Sequence, residues 1–247
     1  MARHIRTRPR HLGARRLMLR ARDVMRLHMG HFTAPASSLP ALAGAAIVVS
    51  AFLVRHPSGP LLPDTGIGEG PEVDEIYKLV RRDLDDALHA AGTSAREVKL
   101  VANCHLHFDH AGNNYRFGGV PIVAQRVERA AATPEYTFAD KVADFEGARF
   151  ELLEGEAEIV PGVRVVPTPG HVAGHQSFVV DTEEGRIVIA GQAFYDAAEY
   201  ARALFAWRLD RAGSPHPEYA PWVARLQELD PWRVTFAHDL AIWQRDA

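Results

Sequence analysis

The chain has 247 residues, 47% apolar and 24% charged, with a formal net charge of -3 and one cysteine, Cys104. That length and apolar content suffice to bury a core as one domain, and a balance so close to neutral argues against a nucleic-acid binder that works by neutralising phosphates. A single cysteine excludes an intramolecular disulfide and gives no reason to place the chain in an oxidising compartment.

The charge is uneven, since Arg3, Arg6, Arg8, Arg10, Arg15, Arg16, Arg20 and Arg22 crowd the N-terminus. Residues 1–23 therefore read as a flexible basic arm, and residues 24–247 as a single domain. Arg15-Arg16 superficially matches a twin-arginine signal, but the charges in "LMLRARDVMRLHMGH" interrupt the apolar stretch that such a signal needs. The run Ala41 to Val54 is almost wholly apolar, yet its 14 residues fall short of the roughly 20 that span a bilayer. It reads as irregular chain feeding a buried strand. The default home is the cytoplasm, with no membrane partner.

In chain order, "AAIVVSAFLVRHPSGPLLPDTGIG" alternates apolar runs with Pro and Gly and predicts a hairpin of core strands closed by Asp64-Thr65-Gly66. From Pro71 to Ala91 the apolar residues Val73, Ile76, Val80, Leu84, Ala87 and Leu88 recur at three- and four-residue spacing, with Gly92 just beyond, and predict one helix. "VKLVAN" is a short buried strand, "VPIVAQ" another, "RVERAAA" a helical turn or two, and "VRVVPT" a further strand. "SFVVDTEEGRIVIAG" reads as two strands about a tight Glu-Gly turn. "PEYAPWVARLQELD" is helical, broken or started by Pro221, and "RVTFAH" is a last strand. Interleaved strands and helices make the class α/β.

The end of "VKLVAN" opens on "CHLHFDH", which packs His105, His107, Asp109 and His110 into six positions. Extended backbone puts residues two apart on one side, so His105 and His107 can aim at one point, with Asp109 and His110 facing a neighbouring point. The same alternation turns Cys104 away from the site. His171 and His175 follow the strand "VRVVPT", and His238 follows "RVTFAH". Six of the thirteen histidines thus lie at strand-to-loop junctions. Nitrogen and carboxylate ligands without thiolate suit a catalytic zinc, with manganese, iron or cobalt also acceptable.

His105-Leu106-His107-Phe108-Asp109-His110 has the HxHxDH form of the metallo-β-lactamase superfamily. Together with "TPGHVAGHQS" and "FAHD" it resembles the N-acyl homoserine lactonase branch, from about Val24 onward. The resemblance implies a four-layer αββα sandwich with metals at one edge of two sheets. His105, His107 and His171 would hold one ion, and Asp109, His110 and His238 the other. His175 would order its loop or stand behind the ligands, and Asp64 would brace the ligand loops.

The family's bridging aspartate falls at Gln192, in "AGQAFYD", so Gln192 is the metal residue in doubt. An amide offers one neutral oxygen where a carboxylate offers a charge and two. The expectation is one tight ion and one weak, or a different preferred metal, with Asp196 a poor substitute for the missing carboxylate. Tyr195 falls where lactonases of this branch carry a tyrosine that holds the lactone carbonyl, and Asp109 would relay the proton. The implied activity is opening of a lactone, plausibly an acyl-homoserine lactone, by a metal-bound hydroxide.

The alternatives are a glyoxalase-II-like thioesterase or other ester hydrolase, and a metal-binding protein with activity reduced by Gln192. The partner is a small-molecule substrate, and the chain is a monomer or homodimer. Residues 201–223, rich in aromatics and leucine, would line an apolar acyl pocket, form a dimer contact, or simply cover the core.

Overall fold

The computed structural model describes residues 18–139 and 141–245; most of the expected basic arm lies outside the described residues. Strand β1 (Val24–Thr33) pairs antiparallel with β2 (Ala46–Val54), and β2 turns back into β3 (Leu61–Pro63), the hairpin that the Pro/Gly punctuation implies. Two short helices, α1 (Pro71–Tyr77) and α2 (Leu84–Ala90), flank a two-residue strand, β4 (Val80–Arg81). Strand β5 (Leu100–Ala102) leads to the single turn α3 (Phe108–Ala111). Strand β6 (Pro121–Gln125) runs into α4 (Arg126–Ala131) and α5 (Pro134–Thr137), and β7 (Arg149–Leu153) follows. These strands form a seven-stranded sheet in the order β4-β1-β2-β3-β5-β6-β7, parallel from β3 to β7.

The second sheet comes from β8 (Ala157–Val160), β9 (Val163–Pro167), β10 (Gln176–Thr182), β11 (Gly185–Ile189), β12 (Pro231–Thr235) and β13 (Ile242–Gln244), in the order β13-β12-β11-β10-β9-β8. Between β11 and β12 lie α6 (Ala197–Arg211) and α7 (Trp222–Glu228). Residues 201–223 are thus largely the core-covering helix of the expectation, buried through Tyr200, Leu204 and Ala206, while Phe205 on its far side is exposed. No helix among the described residues is long and apolar enough to cross a membrane.

Alternation along each strand sorts the core into three slabs. Phe52, Val54, Leu100 and Ala102 meet Val163, Val165, Phe178 and Val180 between the two sheets. The intervening Val49, Ala51, Leu53 and Val101 face the other way, onto Val73, Leu84, Leu88 and Phe108 of α1, α2 and α3. On the far side Val179 and Val188 meet Tyr200 and Leu204 of α6 and Val223 and Leu226 of α7. The result is a four-layer αββα sandwich. Truncating a fully buried ring such as Phe52 or Phe178 to alanine costs about 3–5 kcal/mol.

The one helix predicted over residues 71–91 is instead two. Lys78 takes a left-handed conformation at φ 51° and ends α1. Val80 and Arg81 then pair with His31 and Gly30 of β1, and Asp83 starts α2 by accepting from the backbone N–H groups of Asp85 and Asp86. The apolar period carries across the break because Val73, Leu84, Ala87 and Leu88 all pack on the same sheet face. The β1–β4 crossing fixes Gly30: at φ 116° any Cβ would sit 1.9 Å from the Val80 carbonyl oxygen.

The topology brings the strand ends to one edge. β9 and β11 both run antiparallel to β10, and β12 is parallel to β11, so β9, β11 and β12 end on the same side. There the two sheets are stitched together: Gln176 N–H donates to the Cys104 carbonyl and Ser50 N–H to the Ala237 carbonyl, both at 2.9 Å.

Candidate metal centre

Loops that leave β5, β9 and β12 meet at this edge. His105 lies at the middle, fully buried, with ring centroids of His110, His107 and His171 at 4.3, 4.5 and 4.8 Å. His107 Nδ1 approaches His171 Nε2 at 3.1 Å, and His110 Nε2 approaches His238 Nε2 at 3.1 Å. Asp109 Oδ2 stands 3.5 Å from the Nε2 atoms of both His110 and His238. Each expected ligand is therefore brought together, as two adjoining trios.

The groups behind the rings fix which nitrogen is free. His238 donates Nδ1–H to the Val48 carbonyl at 2.9 Å, and His110 donates Nδ1–H to Asp64 Oδ2 at 3.0 Å. His105 Nδ1 lies 3.2 Å from Cys104 Sγ. In all three rings this leaves Nε2 with its lone pair turned inward, the arrangement by which a partner behind a ligand sets its tautomer. His105 Nε2 is fully buried and has no hydrogen-bond partner.

Electrostatics point the same way. Burial pushes His105 well below the usual imidazole range, and burial with the neighbouring His110 takes His238 down to about 4. Burial also lowers His107, to about 4. His110 is the exception, since burial is outweighed there by the Asp109 and Asp64 charges, which raise it. Inward-turned imidazole nitrogens around a carboxylate form a cation site, and the ligand atoms within each of two groups, His105, His107 and His171, and His105, Asp109 and His110, lie within 4.8 Å of one another. A 3.1 Å nitrogen separation is close to the roughly 3.3 Å that tetrahedral zinc with Zn–N of about 2.05 Å requires. The donor set fits zinc, and its lack of an inward thiolate leaves manganese, iron and cobalt acceptable.

A model of the Metallo-beta-lactamase superfamily matches residues 45–238, the stretch that carries all three ligand-bearing loops. The chain belongs to the metallo-β-lactamase superfamily. Within it the chain is 30% identical over 205 residues to an N-acyl homoserine lactonase of Bacillus cereus, covering 76% of this chain and 80% of that one. It is 32% identical over 206 residues to the N-acyl homoserine lactonase AiiA of Bacillus thuringiensis subsp. kurstaki, with the same coverage. A solved N-acyl homoserine lactone hydrolase, described with the product N-hexanoyl-L-homoserine bound at its catalytic metal centre, superposes with a TM-score of 0.69. That pair shares 25% identity and covers 91% of this chain and 95% of the other.

Within this metallo-β-lactamase fold the expected supporting residues divide. Asp64, held at φ 62° at the end of β3, accepts from Cys104 N–H at 2.8 Å and from His110, so it braces the first ligand loop. His175 has both nitrogens committed: Nδ1 to Thr168 Oγ1 at 2.8 Å, and Nε2 as acceptor from Gln192 N–H at 3.0 Å. It orders its loop. Gln192 is buried, and its side chain lies close enough to the His110 ring and the Tyr195 hydroxyl to influence the ionisation of both. Tyr195 stacks on His238 with centroids 5.2 Å apart. Burial, reinforced by the nearby Asp109 charge, raises its phenol so that it stays protonated.

One expectation is corrected. Cys104 does not point away from the site: its Sγ lies 3.1 Å from Asp64 and 3.2 Å from the Nδ1 atoms of His105 and His110. Strand β5 stops at Ala102, so the two-residue alternation that placed Cys104 no longer applies. Burial and the Asp64 charge push the thiol pKa well up, so Cys104 serves as a neutral hydrogen-bonding floor. Asp196 is the poor substitute for the missing carboxylate that the sequence led one to expect, because its side chain caps α6 by accepting from Glu199 N–H at 2.6 Å.

Sequence reasoning also missed Glu128 and Tyr136, which meet beside His107. Nothing in "QRVERAAATPEYT" distinguishes a buried carboxylate from a solvated one.

Proposed function

We propose that the chain is a lactonase that opens the ring of an acyl-homoserine lactone, with His105, His107 and His171 holding one divalent cation and Asp109, His110 and His238 a second. The broader assignment, a metal-dependent hydrolase of ester bonds, follows from family membership and from the donor set. A cation bound here supplies a Lewis acid for the ester carbonyl and acidifies water beside it. Burial opposes ionisation of Asp109, but the surrounding histidines outweigh it and hold the carboxyl below its usual range. Asp109 is thus an ionised base that takes the proton from the attacking water and returns it to the leaving alkoxide.

The observation that carries the lactone reading is Tyr195. Its ring stacks on His238 at 25° between planes, and burial with the nearby Asp109 charge keeps its hydroxyl protonated. A phenol so placed donates to a carbonyl oxygen as negative charge gathers on it. Phe108 and Phe138 extend an apolar wall beside His107, with the Phe138 ring 5.4 Å from it, which suits an acyl tail better than a charged thiol carrier.

Gln192 makes the second site the weaker one, because two cations lose the anion that would stand between them. The test is hydrolysis of N-hexanoyl-homoserine lactone against an acyl-thioester of equal chain length by zinc-, manganese- or cobalt-loaded protein. Preference for the lactone supports the reading. Faster thioester cleavage would replace it.

A further inference from the structure

Glu128 sits in α4 with 1% of its surface exposed and contacts two of the three ligand loops at once, those after β5 and β9. Its Oε1 accepts from the backbone N–H of Leu106, between His105 and His107, at 2.8 Å. The Gly174 backbone, between His171 and His175, presses on the same carboxylate, where burial raises the carboxyl and the Gly174 N–H is among the donors that oppose it. Both carboxylate oxygens lie 2.9 Å from the Tyr136 hydroxyl, and the Tyr136 ring packs on His107 with centroids 5.1 Å apart. The approach is close enough to dictate sequence: a Cβ on Gly174 would fall 2.4 Å from Glu128 Cβ and 2.6 Å from its Oε2.

All three groups facing the carboxylate are donors. An acceptor-only side chain satisfies them together, whereas the NH2 of a glutamine would meet an N–H or force Tyr136 to turn round. Charge-assisted hydrogen bonds to backbone N–H groups are short and strong, so the carboxylate ties the two loops at a fixed spacing.

We propose that Glu128 is a positioning residue: by clamping the Leu106 and Gly174 backbones together it sets the separation of His107 from His171 and so the affinity of the first cation site. The proposal rests on the metal-centre reading given above. Glu128 is bonded to the ligand loop and to Tyr136, so its influence runs through the ligands.

The test titrates cobalt(II) into the metal-free wild-type chain and into Glu128→Gln, Tyr136→Phe and Gly174→Ala. It reads the dissociation constant by chelator competition and the coordination geometry from the cobalt visible spectrum. Glu128→Gln and Gly174→Ala are expected to weaken the tighter site about ten- to a hundredfold and to change the cobalt spectrum. Tyr136→Phe, which removes one donor and leaves both loops clamped, should weaken it less than tenfold.

Tyr136→Phe and Gly174→Ala keep the test decisive should Glu128→Gln fail to fold. Wild-type affinity and spectrum in folded Glu128→Gln and Gly174→Ala would overturn the proposal alone. A wild-type chain that binds no cobalt would overturn the metal-centre reading, and this inference with it.

Discussion

Replacing Gln192 with glutamate puts a carboxylate where the amide now lies close to the His110 ring and the Tyr195 hydroxyl, at a position 5% exposed. The worth of that charge to a cation held by His110 follows from Coulomb's law for charges about 4 Å apart. At that distance a unit charge and a divalent ion attract by about 8 kcal/mol at an effective dielectric near 20. Burying the carboxylate offsets several kcal/mol of this. A net gain of about 3 kcal/mol corresponds to roughly a hundredfold tighter second site.

The metal-free protein should move the opposite way. The new charge would act on the same ring, His110, as Asp109, so the melting temperature of the metal-free variant should fall while that of the loaded variant rises. Stepwise zinc titration against a chromophoric chelator reads both sites. The expectation is one tight and one weak ion in the wild type, and two tight ions in Gln192→Glu. Two equally tight ions in the wild type, unchanged by the substitution, would refute the electrostatic argument.

Tyr195→Phe should lower kcat for lactone opening about 10- to 100-fold with little change in thermal stability, and steady-state kinetics showing an unaltered kcat would remove Tyr195 from the reaction. His175→Ala should cost about 1–3 kcal/mol in urea unfolding and leave the metal content unchanged, since neither ring nitrogen is free; loss of an ion would make His175 a ligand. The stability of the metal-free chain should depend on pH through His238, which burial and His110 take from 6.5 to about 4. Below pH 6.5 the unfolded chain takes up a proton that the native ring refuses. Stability from this group is therefore complete above pH 6.5 and falls as the pH drops toward 4, by up to about 3 kcal/mol. Denaturant midpoints across that range check it, and in His238→Gln the slope should shrink.

The sequence displays this site because its ligands follow strands directly. His105, His107 and His110 come straight after β5, His171 follows β9 and His238 follows β12, so short connections keep them at the sheet edge and the motif spacing survives folding. Residues that act across the fold were not legible. Glu128 reaches two loops from a helix whose sequence looks solvent-facing, and Cys104 turns inward because the strand ends two residues before it. The region 71–91 misled for a related reason: an edge strand and two helices that share one buried face repeat their apolar residues as a single helix would. Strand β1 was hidden by its polar residues, of which Arg26 reaches across to the Leu240 carbonyl at 2.6 Å.

The central claim is that this edge of the sandwich is a hydrolytic metal centre. Elemental analysis of the purified chain, with N-hexanoyl-homoserine lactone hydrolysis followed as zinc, manganese or cobalt is restored to the metal-free form, tests it most directly. The account predicts no turnover without metal, recovery that follows occupancy of the first site, and a further rise only at the higher metal concentrations that fill the site beside Gln192. Lactone hydrolysis at full rate by protein stripped of metal, or none under any metal at full occupancy, would contradict it.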